Sequence, residues 1–88
     1  MVIHKHQLEV GANVLHLTPG AKIIHVHMQR RGLEDRICLW AEEEPGGEKT
    51  AERRLTVHPT GVPFPVGRRQ YIGTVHDGPL VLHVYEEL

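Results

Sequence analysis

The strongest constraint on this chain is a two-residue rhythm of apolar and polar side chains, broken repeatedly by glycine or proline. Successive side chains of a strand point to opposite faces, so a period of two marks half-buried strands, whereas an amphipathic helix repeats near 3.6. Residues 36–43 show the choice: Ile37, Leu39 and Ala41 recur at every second position, with Cys38, Trp40 and Glu42 between them. The following Glu42-Glu43-Glu44 would suit a helix, but the periodicity does not, and a strand is predicted.

The same rhythm predicts strands over residues 2–10, 14–18, 21–30, 50–58, 69–76 and 80–87. In the first, His4, His6, Leu8 and Val10 share a face. In the third, Ile24, Val26 and Met28 face one way, and Ile23, His25, His27 and Gln29 the other. Gly11-Ala12-Asn13 is expected to turn. Pro19-Gly20 suits a type II turn, because proline presets position i+1 and glycine accepts positive φ at i+2. Pro45-Gly46-Gly47-Glu48 is expected to be the tip of a long hairpin, and Asp77-Gly78-Pro79 closes the last one. Residues 59–67 hold too much proline for a central strand and are expected to form an ordered loop. Short strands at a spacing of about 8–12 residues predict an all-β fold: one small antiparallel β-sandwich or barrel of about seven strands, with residues 1–88 as a single domain.

A chain of 88 residues makes a modest core, so self-association is expected to supplement it and a homo-oligomer is predicted. The single cysteine, Cys38, rules out an internal disulfide and suits a reducing compartment. The first residues lack the apolar run of a signal peptide, and no run of about 18 apolar residues could span a membrane. A soluble, cytoplasmic protein is the expectation. Ten basic residues against eleven acidic ones argue against general nucleic-acid binding, which needs many cations to displace counterions from phosphates.

Eight histidines in a chain this short invite a metal reading. His4/His6 and His25/His27 each place two rings on one strand face, about 6.6 Å apart along the chain. A site needs a third and usually a fourth ligand, and neither pair has a carboxylate at a recognisable spacing. Residues 20–27 resemble the first metal motif of cupins, but the expected glutamate is missing, and Gln70 stands where a later histidine should follow Pro65-x-Gly67. No metal and no cofactor are therefore expected. Catalysis finds little support either. Cys38 lies in apolar company, the sequence contains no serine, and phosphate-binding glycine motifs are absent. The Glu42-Glu43-Glu44 run is expected to be a solvated hairpin end.

The richest segment is the proline loop and the strand after it. Its prolines reduce the entropy lost on ordering, and Arg68 and Arg69 offer guanidinium groups to a phosphate or carboxylate. Tyr71 and Trp40 offer flat faces, and His58 and Thr60 hydrogen bonds. These six residues are the candidate site for a small, anionic, nucleotide-like ligand. The partly apolar second face carrying His25, His27, Trp40 and Tyr85 is the competing candidate, as a protein-docking surface.

Residues 21–29, Cys38-Leu39-Trp40-Ala41, the loop from His58-Pro59 to Pro65, Tyr71-Ile72-Gly73-Thr74 and residues 80–86 resemble a group of short phage-encoded proteins of unknown function. The resemblance implies a viral accessory protein acting in the host cytoplasm. By analogy with that class, the expected role is sequestration of a cyclic-nucleotide or ADP-ribose-like immune signal near a subunit interface, without catalysis. The alternative is a protein-interaction or virion-associated module, and a histidine-based metal enzyme comes third.

Overall fold

The computed structural model describes residues 1–88, Arg31 by its backbone alone. The rhythm becomes seven strands: β1 (Val2–Leu8), β2 (Gly11–Leu17), β3 (Lys22–Arg31), β4 (Glu34–Glu43), β5 (Ala51–Pro59), β6 (Arg69–Asp77) and β7 (Leu80–Glu87). All pairings are antiparallel. They form a three-stranded sheet in the order β1-β4-β3 and a four-stranded sheet in the order β2-β5-β7-β6. The two sheets stack into a slab 39 × 36 × 16 Å, as a two-layer sandwich requires when sheets pack about 10 Å apart. No helix is long and apolar enough to cross a membrane among the described residues.

The inward face of each sheet supplies the core. Leu8, Val26, Met28, Ile37, Leu39 and Ala41 come from the three-stranded sheet, and Leu17, Leu55, Val57, Val75, Leu82 and Val84 from the other. At one side of the sandwich β3 lies against β6, closely enough that Gly73 has no room for a side chain. A Cβ there would sit 2.6 Å from Val26 Cγ2.

Several details depart from simple alternation. Gly11 to Asn13 is the start of β2, not a turn. The Asn13 side chain accepts from the Glu9 N–H at 2.8 Å and donates to the Glu9 carbonyl at 2.8 Å, holding the chain where β1 ends. Pro19-Gly20 forms the expected turn, with Gly20 at φ 75° and the Ala21 N–H donating to the Thr18 carbonyl at 3.1 Å. A bulge at Ile24 turns Ile23 inward and leaves Ile24 exposed, reversing the two, while His25, His27 and Gln29 keep the predicted face. The Pro45-Gly46-Gly47-Glu48 turn does not close a hairpin. It carries the chain from β4 in one sheet to β5 in the other.

Candidate functional site

The outward face of the four-stranded sheet is built from alternate residues of β5, β7 and β6. Thr56, Tyr85 and Tyr71 stand in one cross-strand row, and His58, His83 and Thr74 in the next. A bulge at Ile72 makes the second row possible. It lets Gly73 turn inward against β3 and keeps Thr74 on the same side as Tyr71. The loop after β5 then folds back across this face. The Thr60 N–H donates to the Val81 carbonyl at 3.0 Å, and Phe64 stacks on His58 with ring centroids 3.8 Å apart and planes 16° from parallel. Tyr85 lies 6.0 Å from both of these rings, Tyr71 packs edge-on to Tyr85, and the Arg69 guanidinium sits 5.3 Å from the Phe64 centroid.

The polar groups of this face form a directed chain. The Thr60 hydroxyl donates to the Val81 carbonyl at 3.3 Å, so its oxygen accepts from His83 Nε2–H at 2.7 Å. That assigns the neutral His83 ring its proton at Nε2 and makes Nδ1 the acceptor for the Thr74 hydroxyl at 3.1 Å. The Thr74 oxygen in turn accepts from the Tyr71 phenol. Thr60 and His83 have the separation of a nucleophile and its base, but Nε2 already carries its proton and has no lone pair to take one from the hydroxyl. The second ring nitrogen faces a hydroxyl rather than a carboxylate, so no anion would stabilise an imidazolium there either. Burial lowers the His58 pKa, with the positive charge of Arg69 and the neighbouring His83 acting in the same direction and Glu87 opposing them. Arg69 donates to Glu87 at 3.1 Å and so has a carboxylate partner, whereas Arg68 is exposed at the loop's end.

Five of the six residues singled out from the sequence fall in or beside this region: His58, Thr60, Arg68, Arg69 and Tyr71. Trp40 does not. It lies on the outward face of the three-stranded sheet, 5.7 Å from His25, whose ring stacks on His27 at 5.9 Å. The candidate docking face carrying His25, His27, Trp40 and Tyr85 is thereby divided between opposite surfaces, because β4 and β7 belong to different sheets. The sequence reading gave no role to Phe64 or Thr74. Phe64 was visible as an aromatic residue between two prolines, a position where a stiff loop presents a ring. A surface cleft of about 580 Å³ lies instead along the seam of β3 and β6, lined by His27, Gln29, Arg30, Thr74 and His76 among others.

A second polar cluster closes the end of the core. Glu43 is fully buried, contrary to the solvated acidic run expected from the sequence. His4 Nδ1 at 2.8 Å and His6 Nε2 at 3.1 Å both meet Oε2, and the Thr18 N–H donates to Oε1 at 3.1 Å. Lys49 Nζ stands 3.7 Å from Oε2. A carboxylate only accepts, so both imidazoles present N–H to it. Burial alone would raise the Glu43 pKa, but the bonds from His4, His6 and Thr18 and the charge of Lys49 outweigh it and lower it from 4.5 to about 2. The His4/His6 pair therefore has a structural partner. No group of three or more metal-ligating residues is poised around a cation position among the described residues.

Fold and surface together define a small β-sandwich carrying an aromatic and imidazole-rich patch under a proline-stiffened, arginine-edged loop. The chain belongs to the family of the domain of unknown function DUF7352, whose profile matches residues 1–88. No curated protein and no solved structure matches it.

Proposed function

We propose that the protein is a non-catalytic binding module that takes a planar, anionic, nucleotide-type ligand on the outward face of the four-stranded sheet. The observation that carries this reading is the stack of Phe64 on His58, with Arg69 beside the Phe64 ring at the start of β6 and Arg68 exposed at the end of the loop before it. Base-sized rings add to exposed aromatic faces with an energy of about 1–3 kcal/mol each, and Phe64 and Tyr71 both remain partly open to solvent. Since Glu87 already occupies Arg69, Arg68 carries the charge that holds the ligand's phosphate, and Arg69 serves to brace the Phe64 ring. Stoichiometric sequestration of a nucleotide-derived signal, in a phage-encoded counter-defence role, is the biological form that such binding would take.

Calorimetric titration with ADP-ribose and with a cyclic dinucleotide, at low salt, tests the proposal. Saturable binding is expected in the wild type, and Arg68→Ala should weaken it by about tenfold or more, equivalent to one charge-assisted hydrogen bond. Unchanged binding in an Arg68→Ala/Arg69→Ala variant would remove the site. The openness of the face favours a second reading, a flat protein-docking surface. It predicts no heat with either nucleotide and a stable complex that Phe64→Ala disrupts.

A further inference from the structure

Each sheet ends in two edge strands, whose outer backbone groups are free to pair with another strand unless something prevents it. Three of the four edges carry such a device. β1 has Lys5 at its centre, β3 has Lys22, Arg30 and the bulge at Ile24, and β6 has Arg69, Asp77 and the bulge at Ile72. The β3 and β6 edges also lie against each other. β2 differs. Its seven residues, Gly11–Leu17, contain no charge, no proline and no bulge, and its outward side chains Ala12, Val14 and His16 are exposed.

We propose that β2 is an association edge, on which a second copy of the chain adds its own β2 antiparallel about a two-fold axis at Val14, joining two four-stranded sheets into one of eight strands. The strand's sequence is self-complementary in that register. Val14 meets Val14 of the second copy on the axis, a β-branched pair of the kind that stabilises antiparallel ladders. Away from the axis every pair sets a smaller residue against a larger one: Asn13 opposite Leu15, Ala12 opposite His16, and Gly11 opposite Leu17. No like charges meet, whereas self-pairing of β1 about its centre would bring Lys5 against Lys5. Such an interface is isologous and closes at two subunits. The seam lies at the β2 edge, while the aromatic patch sits on β5, β7 and β6, so dimerisation is independent of the binding reading.

Molar mass measured by light scattering across the micromolar range should give a dimer for the wild type and a monomer for Val14→Lys, which sets two ammonium groups face to face. Circular dichroism should show the same sheet content for both proteins. Under mild oxidation Val14→Cys should form a covalent dimer, because facing Cα atoms in an antiparallel pair are about 4.5–5.5 Å apart, within disulfide reach. Ala12→Cys should not, since its two copies would stand about 13 Å apart along the ladder. The native Cys38 is buried and stays out of the reaction. A wild-type monomer, a dimeric Val14→Lys variant, or cross-linking through Ala12→Cys as readily as through Val14→Cys would each overturn the proposal.

Discussion

Replacing Glu43 tests whether one buried carboxylate locks the end of the sandwich. Glu43→Ala removes the acceptor shared by His4, His6 and the Thr18 N–H, and the counter-charge to Lys49. Lys49 and His4, with side chains 45 % and 40 % exposed, can turn to water. The Thr18 backbone and the mostly covered His6 have less access to it, Thr18 being 1 % exposed and the His6 side chain 15 %. Each buried donor left without a partner costs about 1–3 kcal/mol, which for these two brings the expected loss to about 2–6 kcal/mol. In a domain of this size, at about 4–8 °C per kcal/mol, even the lower figure corresponds to a fall of roughly 10 °C in Tm. Glu43→Gln fills the same space but turns an amide NH₂ toward one of the donors, so it should fall between the two. Urea unfolding at neutral pH reads the difference. The wild type carries a further signature. A carboxylate whose pKa drops from 4.5 to about 2 on folding contributes stability that is complete above the higher value and is lost as pH falls through the lower one. The gap between wild type and Glu43→Gln should therefore narrow between these two pH values. A Glu43→Ala protein within about 0.5 kcal/mol of wild type, as for an ordinary surface change, would refute the lock.

Gly73→Ala should destabilise by about 1–3 kcal/mol through overpacking against Val26, and a double-mutant cycle read by chemical denaturation should show the same substitution costing less in a Val26→Ala background, although Val26→Ala is itself destabilising. Because burial, Arg69 and His83 lower the His58 pKa on folding, the unfolded chain takes up that proton first as pH falls. Stability should begin to drop as pH passes below 6.5, and His58→Phe, which keeps the stack on Phe64, should flatten that part of the curve. Nucleotide bound at the proposed site should perturb tyrosine signals while leaving Trp40 fluorescence unchanged, since Trp40 faces outward from the other sheet. A matching Trp40 response would argue for a different site.

The strands were legible because the period of two is a local property, and every predicted strand is present with its ends shifted by a few residues. What local rhythm cannot encode is an extra residue. Both bulges, at Ile24 and Ile72, invert the alternation without a glycine or proline at the inserted position, and only the opposing strand reveals them. Sheet partition was equally hidden. Pro45-Gly46-Gly47-Glu48 has the composition of a hairpin tip, but the strands on either side of it find partners elsewhere. Trp40, on β4, faces outward from the sheet opposite the one that carries the other five candidate residues or leads into it. Glu43 was misjudged because a run of three glutamates normally faces water. Only the long-range pairing Val2↔Glu43 brings His4 and His6 beside it.

The order in which strands find their partners also shapes how the chain acquires its structure. Only β3–β4 and β6–β7 are neighbours in sequence as well as in space, whereas β1 waits for β4, and β2 for β5. Those two local ribbons can zip early. The N-terminal pair of strands must cross long stretches of chain before any contact rewards them, and topologies of this kind fold on the millisecond-to-second scale. During synthesis the amino-terminal residues emerge first yet are fastened late, and β2 cannot find its place until β5 has left the ribosome.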